Sequence, residues 1–164
     1  MILRDFITYW MDMAKSNHDV HDLSDVKRNN LIKFFCYYIA FNHIYDIASE
    51  HGSERAKIKK VVRNTLKNFK NNGIDYNPFI DLSEESELLT TVRSNKVKEN
   101  CFTSKNTIYN KISSSNILNL FSNIYQVRCN LFHGAKDMST YRDEGLVKDS
   151  TKVLQHFLEE YLKL

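Results

Sequence analysis

Apolar residues recur at helical spacing over most of the chain, and short polar segments separate the apolar stretches. In residues 2–15 and again in residues 142–163, apolar side chains lie three or four positions apart, which is typical of helices with one buried face. The centre of a third stretch, "LIKFFCYYIAFNHIYDI", is apolar almost all round. This pattern predicts a helix that is buried in the middle of a bundle.

Residues that commonly begin helices mark several boundaries. Ser24 or Asp25 is expected to cap the central helix, which we predict to continue to about Glu50. A glycine then interrupts the pattern, and Ser53 is expected to cap a basic helix that ends near Phe69.

A turn and a less regular region follow this basic helix. In "NNGIDYNPF", Asn72 and Gly73 suit positive φ, and Pro78 prevents the helix from continuing. We predict a short acidic helix over residues 83–92 and a polar, mobile loop over residues 93–111.

The next predicted helix begins in the serines at 113–115 and runs through "NILNLFSNIYQVRCNLFH". Gly134 is expected to end it, because glycine commonly follows the last helical turn. Its buried stripe is predicted to consist of Ile117, Leu120, Phe121, Ile124 and Val127 or Arg128.

The composition favours long helices and a single domain. The chain has 164 residues, of which 42% are apolar, and this suits one domain over residues 1–164 with a substantial core. Only four glycines and one proline occur, too few for a sandwich of short β-strands. We therefore predict an all-α bundle of four or five helices.

Hydropathy and cysteine usage indicate a cytoplasmic protein. No apolar run approaches the ~20 residues that span a bilayer, so we expect no membrane contact. The N-terminus also lacks the long apolar stretch of a signal peptide. Cys36, Cys101 and Cys129 form no closely spaced pair, which is typical of reduced thiols.

Positive charge is concentrated in one helix, although the formal net charge is only +3. Residues 55–70 contain seven Lys or Arg and no acidic residue. Such a run is common on a solvated helix face, but it also suits contact with a phosphate backbone. On the second interpretation, Lys59, Lys60 and Arg63 are candidates for binding RNA.

An arginine and a histidine in "VRCNLFHG" are the main candidates for chemistry. Arg128 and His133 are about 140° apart on an ideal helix, but a chain turn at Gly134 would let them converge. The negative end of the helix dipole favours a protonated imidazole, which can transfer protons. The arginine fork suits the oxygens of a phosphorane, so the pair could cleave RNA without a metal or another cofactor. Alternatively, both are surface residues, and the histidine merely complements the helix dipole.

The same segment resembles the R-x4-6-H motif of the HEPN superfamily, all-helical proteins often found in bacterial toxin and antiphage systems. As in that family, the motif lies late in the chain at the end of a predicted bundle helix, with another helix after it. "AFNHIYD", residues 40–46, is similar to an earlier helix of small members, where a phenylalanine, an asparagine and a tyrosine cluster. The resemblance implies a bundle of HEPN type and a metal-independent endoribonuclease that acts on RNA as a homodimer. It also implies a role as a toxin or antiphage-defence effector, with an antitoxin or regulatory protein as partner.

The resemblance assigns roles to single residues. It implies that Arg128 stabilises the transition state, that His133 moves the proton and that Asn42 is a polar group near the motif. The alternative for Asn42 is a buried amide bonded to backbone groups. The chain departs from the family at Cys129, because the residue after the arginine is usually polar there. Asn130 is rotated by about 100° from that position and cannot simply replace it. Many members bind RNA or a partner protein without cutting, so a non-catalytic binding module is the alternative function.

A zinc site is a rival chemistry for the same segment. Cys129 and His133 lie four positions apart, on one helix face, and His18 and His21 in "HDVH" could supply two more ligands. The two pairs have no characteristic separation, however, and a thiol packed on an apolar stripe is the more frequent case. We therefore predict no metal site.

Overall fold

Five helices form the part of the chain that the structure, a computed structural model, describes: residues 2–16, 23–48, 51–75, 78–79, 114–133, 138 and 140–164. They are α1 (Leu3–Lys15), α2 (Leu23–Ile47), α3 (Glu54–Asn71), α4 (Ser114–Phe132) and α5 (Tyr141–Tyr161), and these ranges contain no strand. The predicted all-α bundle is confirmed. None of the described helices combines the length and the apolar composition that crossing a bilayer requires.

Helix α2 lies at the centre of the bundle, as its apolar pattern predicted. Phe41 is fully buried, and its ring lies 5.2 Å from that of Phe121 on α4 and 5.5 Å from that of Phe157 on α5. Phe35, almost two turns earlier on α2, packs against Phe132 at the end of α4. The two contacts show that α2 and α4 are antiparallel, so the end of α4 meets the middle of α2.

Helix boundaries follow local sequence signals at some positions and depart from them at others. The Ser53 side chain accepts a hydrogen bond from the Ala56 backbone N–H at 3.3 Å, which confirms the predicted cap. Helix α2 already begins at Leu23, so Ser24 and Asp25 lie within its first turn, and their prediction as caps is wrong. A helix accepts serine and aspartate inside its first turn, where the dipole favours their oxygen atoms.

The turn after α3 and the end of α2 also agree only in part with the predictions. Gly73 adopts positive φ at +72°, whereas Asn72 stays at −99°, so only the glycine uses the left-handed region. Helix α2 ends at Ile47, three residues before the predicted end at Glu50. The acidic helix at 83–92, the loop at 93–111 and the turn at Gly134 lie outside the described residues.

The apolar stripe of α4 faces the core. Its five apolar members are all buried: Ile117, Leu120, Phe121, Ile124 and Val127. Arg128 follows Val127 on the flank of that stripe and is half-buried. Because α4 runs antiparallel to α2, this position brings the arginine to the exposed side of α2.

Candidate functional site

A cavity of about 350 Å³ opens between α2 and the end of α4. Four of its lining residues come from α2 at helical spacing, and two come from the last turns of α4. They are Phe35, Tyr38, Ile39, Asn42, Arg128 and Phe132. The structure thus places two predicted site residues, Asn42 and Arg128, at one opening.

The Arg128 guanidinium is held between aromatic rings. Its central carbon lies 4.6 Å from the ring centre of Phe132 and 5.7 Å from that of Tyr38. Cation–π contacts of this kind contribute about 0.5–2 kcal/mol each. The Nε atom is buried and has no hydrogen-bond partner among the described residues. The two rings therefore hold the guanidinium by its faces, and the half-buried side chain forms part of the cavity lining.

Nearby groups keep Arg128 charged. Burial acts to lower the pKa of Arg128, but hydrogen bonding to Cys129 and the nearby Glu54 carboxylate outweigh it, and the pKa lies above its usual value. Burial raises the pKa of Tyr38 well above the usual value, so that residue stays neutral. A permanent cation at the edge of a small cavity is suited to binding an anion.

A polar network lies beneath the cavity and joins three helices. The Glu54 carboxylate, at the start of α3, accepts hydrogen bonds from the hydroxyls of Tyr45 on α2 at 3.0 Å and Tyr125 on α4 at 3.1 Å. The Tyr38 and Tyr45 hydroxyls are 3.4 Å apart. The Cys129 side chain lies one helical turn after Tyr125 on α4 and directly follows Arg128. This network links the base of the cavity to the arginine.

Asn42 is positioned by a second chain of polar contacts. Its Nδ2 donates to Asp46 Oδ2 at 3.3 Å, and Asp46 Oδ1 lies 3.0 Å from Lys57 Nζ on α3. A carboxylate only accepts hydrogen bonds, so the Asn42 NH2 group must point to Asp46. The Asn42 Oδ1 atom has no partner among the described residues and is free to accept a hydrogen bond. Asn42 is half-buried and hydrogen-bonded to a side chain. It is therefore not the fully buried amide bonded to backbone groups that was the alternative prediction for this residue.

His133 directly follows the cavity residue Phe132 in the chain. It lies in the turn that ends α4, its side chain is exposed, and its backbone N–H donates to the Cys129 carbonyl at 3.0 Å. It is not among the residues that line the cavity. Within one chain the structure therefore combines Arg128 with Asn42 and Phe132, and it does not place His133 with them.

Cys129 and Asn130 occupy different environments. Cys129 is half-buried beside Tyr125 and Arg128. Asn130 is buried, and its Oδ1 accepts a hydrogen bond from Gln126 Nε2 at 2.8 Å. Asn130 does not line the cavity.

The candidate RNA-binding cations lie on another surface. Lys59, Lys60 and Arg63 are exposed on α3, and none forms an ion pair with a residue that the structure describes. The first turn of α3 packs beside the site, because Arg55 bonds to Gln126 and its guanidinium lies 5.4 Å from the Tyr125 ring centre. The basic helix therefore begins beside the Glu54 network, and Lys59, Lys60 and Arg63 do not line the cavity.

Several residues of the site were missed from the sequence. Glu54 and the three tyrosines are brought together by contacts between helices, and Glu54 alone has the appearance of an ordinary first-turn acid. Two features of the sequence could have identified some of these residues. The first is the spacing of Tyr38 and Tyr45, which lie seven positions apart and therefore on one face of α2. Phe132 also stands beside the motif histidine, and an aromatic residue near an exposed helix end is a candidate ligand contact.

No cluster of three or more His, Cys, Asp and Glu side chains suited to a metal ion occurs among the described residues. His18 and His21, the other half of the possible zinc site, lie outside those residues. Comparisons of the chain with protein-family models, with curated proteins and with solved structures find no match.

Proposed function

We propose that this protein is a metal-independent endoribonuclease of HEPN type, with Arg128 and His133 as the catalytic pair in the cleft of a homodimer. The observation that carries the proposal is the position of Arg128. Its guanidinium is clamped by two rings at an open cavity, and the same helix end presents an exposed histidine. An oriented cation and a mobile proton carrier are the two groups that the reaction requires.

The proposed reaction uses a nucleophile from the substrate. His133 removes the proton from a ribose 2′-hydroxyl, whose oxygen attacks the adjacent phosphorus. The bond from phosphorus to the 5′-oxygen breaks, and an acid returns a proton to that oxygen. Arg128 binds the equatorial oxygens, where negative charge develops in the transition state. The products are a 2′,3′-cyclic phosphate and a 5′-hydroxyl end.

Incubation of the purified protein with a mixed RNA pool and EDTA tests this proposal. We expect cleavage that EDTA does not prevent, with cyclic phosphate ends on the new fragments. A wild-type protein that cuts none of the pool under these conditions would contradict the ribonuclease function.

We expect a homodimer, because one exposed histidine per chain supplies only one proton-transfer group and the reaction needs a base and an acid. A two-fold axis beside the cavity would bring a second His133 to it. Light scattering at micromolar concentration is expected to give the mass of two chains; a strict monomer that still cleaves RNA would contradict this prediction.

RNA affinity is expected to depend on the basic surface of α3. If Lys59, Lys60 and Arg63 contact phosphates, affinity should fall steeply with salt concentration, and the triple change to glutamate should weaken the binding of all sequences alike. Loss of three phosphate contacts should reduce the slope of log affinity against log salt by about 2–3. Changing two exposed residues elsewhere to glutamate, Lys15 at the end of α1 and Lys163 just after α5, serves as the control. If both variants bind RNA with equal affinity, the basic residues of α3 form a solvated helix face and do not contact RNA.

Cys129 tests how complete the catalytic site is. A thiol is a weak hydrogen-bond donor and acceptor, and this one lies beside Tyr125 and Arg128. Cys129→Asn would supply an amide at the same place and is expected to raise the cleavage rate of a weak enzyme. Single-turnover cleavage of one RNA by both forms measures this. Strong native cleavage that the Asn variant loses would mean that the thiol has a role of its own.

The second candidate function is a non-catalytic module that binds RNA or a partner protein. Two observations favour it: a cysteine stands where the family usually has a polar residue, and His133 does not line the cavity. RNA binding by both the native protein and Cys129→Asn, without cleavage by either, would support this function over the first.

A further inference from the structure

We propose that the cavity between α2 and α4 binds one unpaired base of a single-stranded RNA, the base next to the phosphate held by Arg128. The inference rests on the proposed function and deepens it, because it names the part of the substrate that the protein recognises besides the phosphate.

The walls of the cavity suit a flat aromatic ring. Phe35 and Phe132 lie edge to face with ring centres 5.4 Å apart, and Ile39 completes an apolar wall. Phe132 is 63% exposed, so a large aromatic surface is left in contact with water. Stacking of a base on this surface would remove it from water, and aromatic side chains hold unpaired RNA bases in this way.

The cavity is large enough for one nucleobase. Its volume of about 350 Å³ lies near the lower end of the range for small-molecule sites, about 300–1,000 Å³. Lysine and arginine side chains on α3 are available for the neighbouring phosphates of a longer strand.

The polar groups of the cavity suit the hydrogen-bonding edge of a base. Asn42 Oδ1 is an acceptor whose orientation is fixed by Asp46, and the Arg128 guanidinium beside it offers only donors. Each of the four bases presents a donor next to an acceptor on its Watson–Crick edge. In a duplex that edge is already paired. The cavity therefore selects single strands. Because the order of donor and acceptor along the edge is opposite in A and C to that in G and U, an acceptor of fixed orientation beside a donor also contributes to the choice between bases.

The experiment compares intact and abasic RNA on the full-length His133→Ala protein, which binds without cutting. Labelled pentanucleotides carry one abasic ribose at each position in turn, and fluorescence anisotropy gives their affinities. Removal of the base at one position is expected to weaken binding by about 10-fold or more, since a stacked base typically contributes about 5- to 100-fold. Removal at the other positions should have a smaller effect.

Variants then assign this difference to the cavity. Phe132→Leu should abolish the position dependence, and Phe132→Tyr should preserve it, because tyrosine also stacks. Asn42→Ala should reduce the differences between otherwise identical strands that carry A, C, G or U at that position. Tyr141→Leu is the matched control, because the aromatic side chain of Tyr141 is more exposed than that of Phe132. Tyr141 is the first residue of α5. Glu144, one turn later on α5, pairs with Lys27 on α2, and Lys27 lies about 12 Å along α2 from Phe35.

The outcomes separate this inference from the proposed function. Wild-type cleavage without position dependence, or position dependence that Phe132→Leu leaves intact, would overturn the base site alone. If the effect of an abasic position on RNA affinity requires Phe132 but the wild-type protein never cleaves RNA, the base site is supported and the ribonuclease function is contradicted. A Phe132→Leu protein that becomes monomeric with unchanged base dependence would assign the ring to the dimer contact and overturn the inference.

Discussion

Replacing His133 by alanine is expected to lower EDTA-resistant cleavage by about 10²–10⁴-fold, the usual contribution of a general acid–base group. The side chain is exposed and its backbone hydrogen bond to Cys129 is independent of the imidazole, so the variant should unfold at the same urea concentration as the native protein. His51→Ala is the matched control, because this histidine is also exposed and lies outside the motif. If His133→Ala retains more than about a tenth of the native rate, the imidazole is not the proton carrier.

Replacing Arg128 by alanine is expected to lower the cleavage rate by a comparable factor, because it weakens stabilisation of the transition state. Arg128→Ala removes the cation that faces the transition state, and a single such donor typically contributes about 10²–10³-fold. Arg128→Lys keeps the charge but loses the planar fork and its packing on Phe132 and Tyr38, so we expect only partial recovery. Circular dichroism and urea unfolding would show whether either change disturbs the fold. Full activity of the alanine variant would contradict the proposed role.

The fold was predictable because its signals are local. The stripe from Ile117 to Val127 repeats at helical spacing, and all five apolar members are buried as predicted. Ser53 caps α3 through its own side chain, a contact that spans three residues. The start of α2 at Leu23 lies one or two residues before the predicted caps, a difference typical of helix ends, where signals at neighbouring residues compete.

The site was only partly predictable, since its contacts join distant parts of the chain. Arg128 was found through a motif, and Asn42 through a neighbouring pattern. Their meeting at one cavity depends on the antiparallel packing of α2 and α4, which spacing along the chain does not encode. Glu54 and Tyr125 are 71 positions apart, and no periodicity links a carboxylate to a hydroxyl over that distance.

This same network explains why the arginine position should be sensitive to a residue outside the motif. Glu54 accepts hydrogen bonds from Tyr45 and Tyr125, and Tyr45 lies beside Tyr38, whose ring contacts the Arg128 guanidinium. Loss of the carboxylate would leave two hydroxyls without their acceptor. A change at the start of α3 should therefore reach the wall of the cavity through two tyrosines.

Glu54→Ala is accordingly expected to cost about 3–6 kcal/mol of unfolding free energy, because it removes two hydrogen bonds to a charged group and each contributes about 1.5–3 kcal/mol. Glu54→Gln retains an acceptor oxygen and should cost roughly half as much. Glu159→Ala is the matched control: this carboxylate lies 3.4 Å from Lys15 on the surface, and such pairs contribute about 0–1 kcal/mol. Urea unfolding measures all three variants.

RNA affinity of the same proteins then separates positioning from stability. At a urea concentration and temperature where every variant is fully folded, Glu54→Ala should still bind single-stranded RNA more weakly than Glu159→Ala, since Tyr38 no longer holds Arg128 in place. Glu54→Gln should restore most of that affinity. Equal unfolding midpoints for Glu54→Ala and Glu159→Ala would show that the two tyrosine contacts do not stabilise the bundle. Equal RNA affinities would show that the network does not position the arginine.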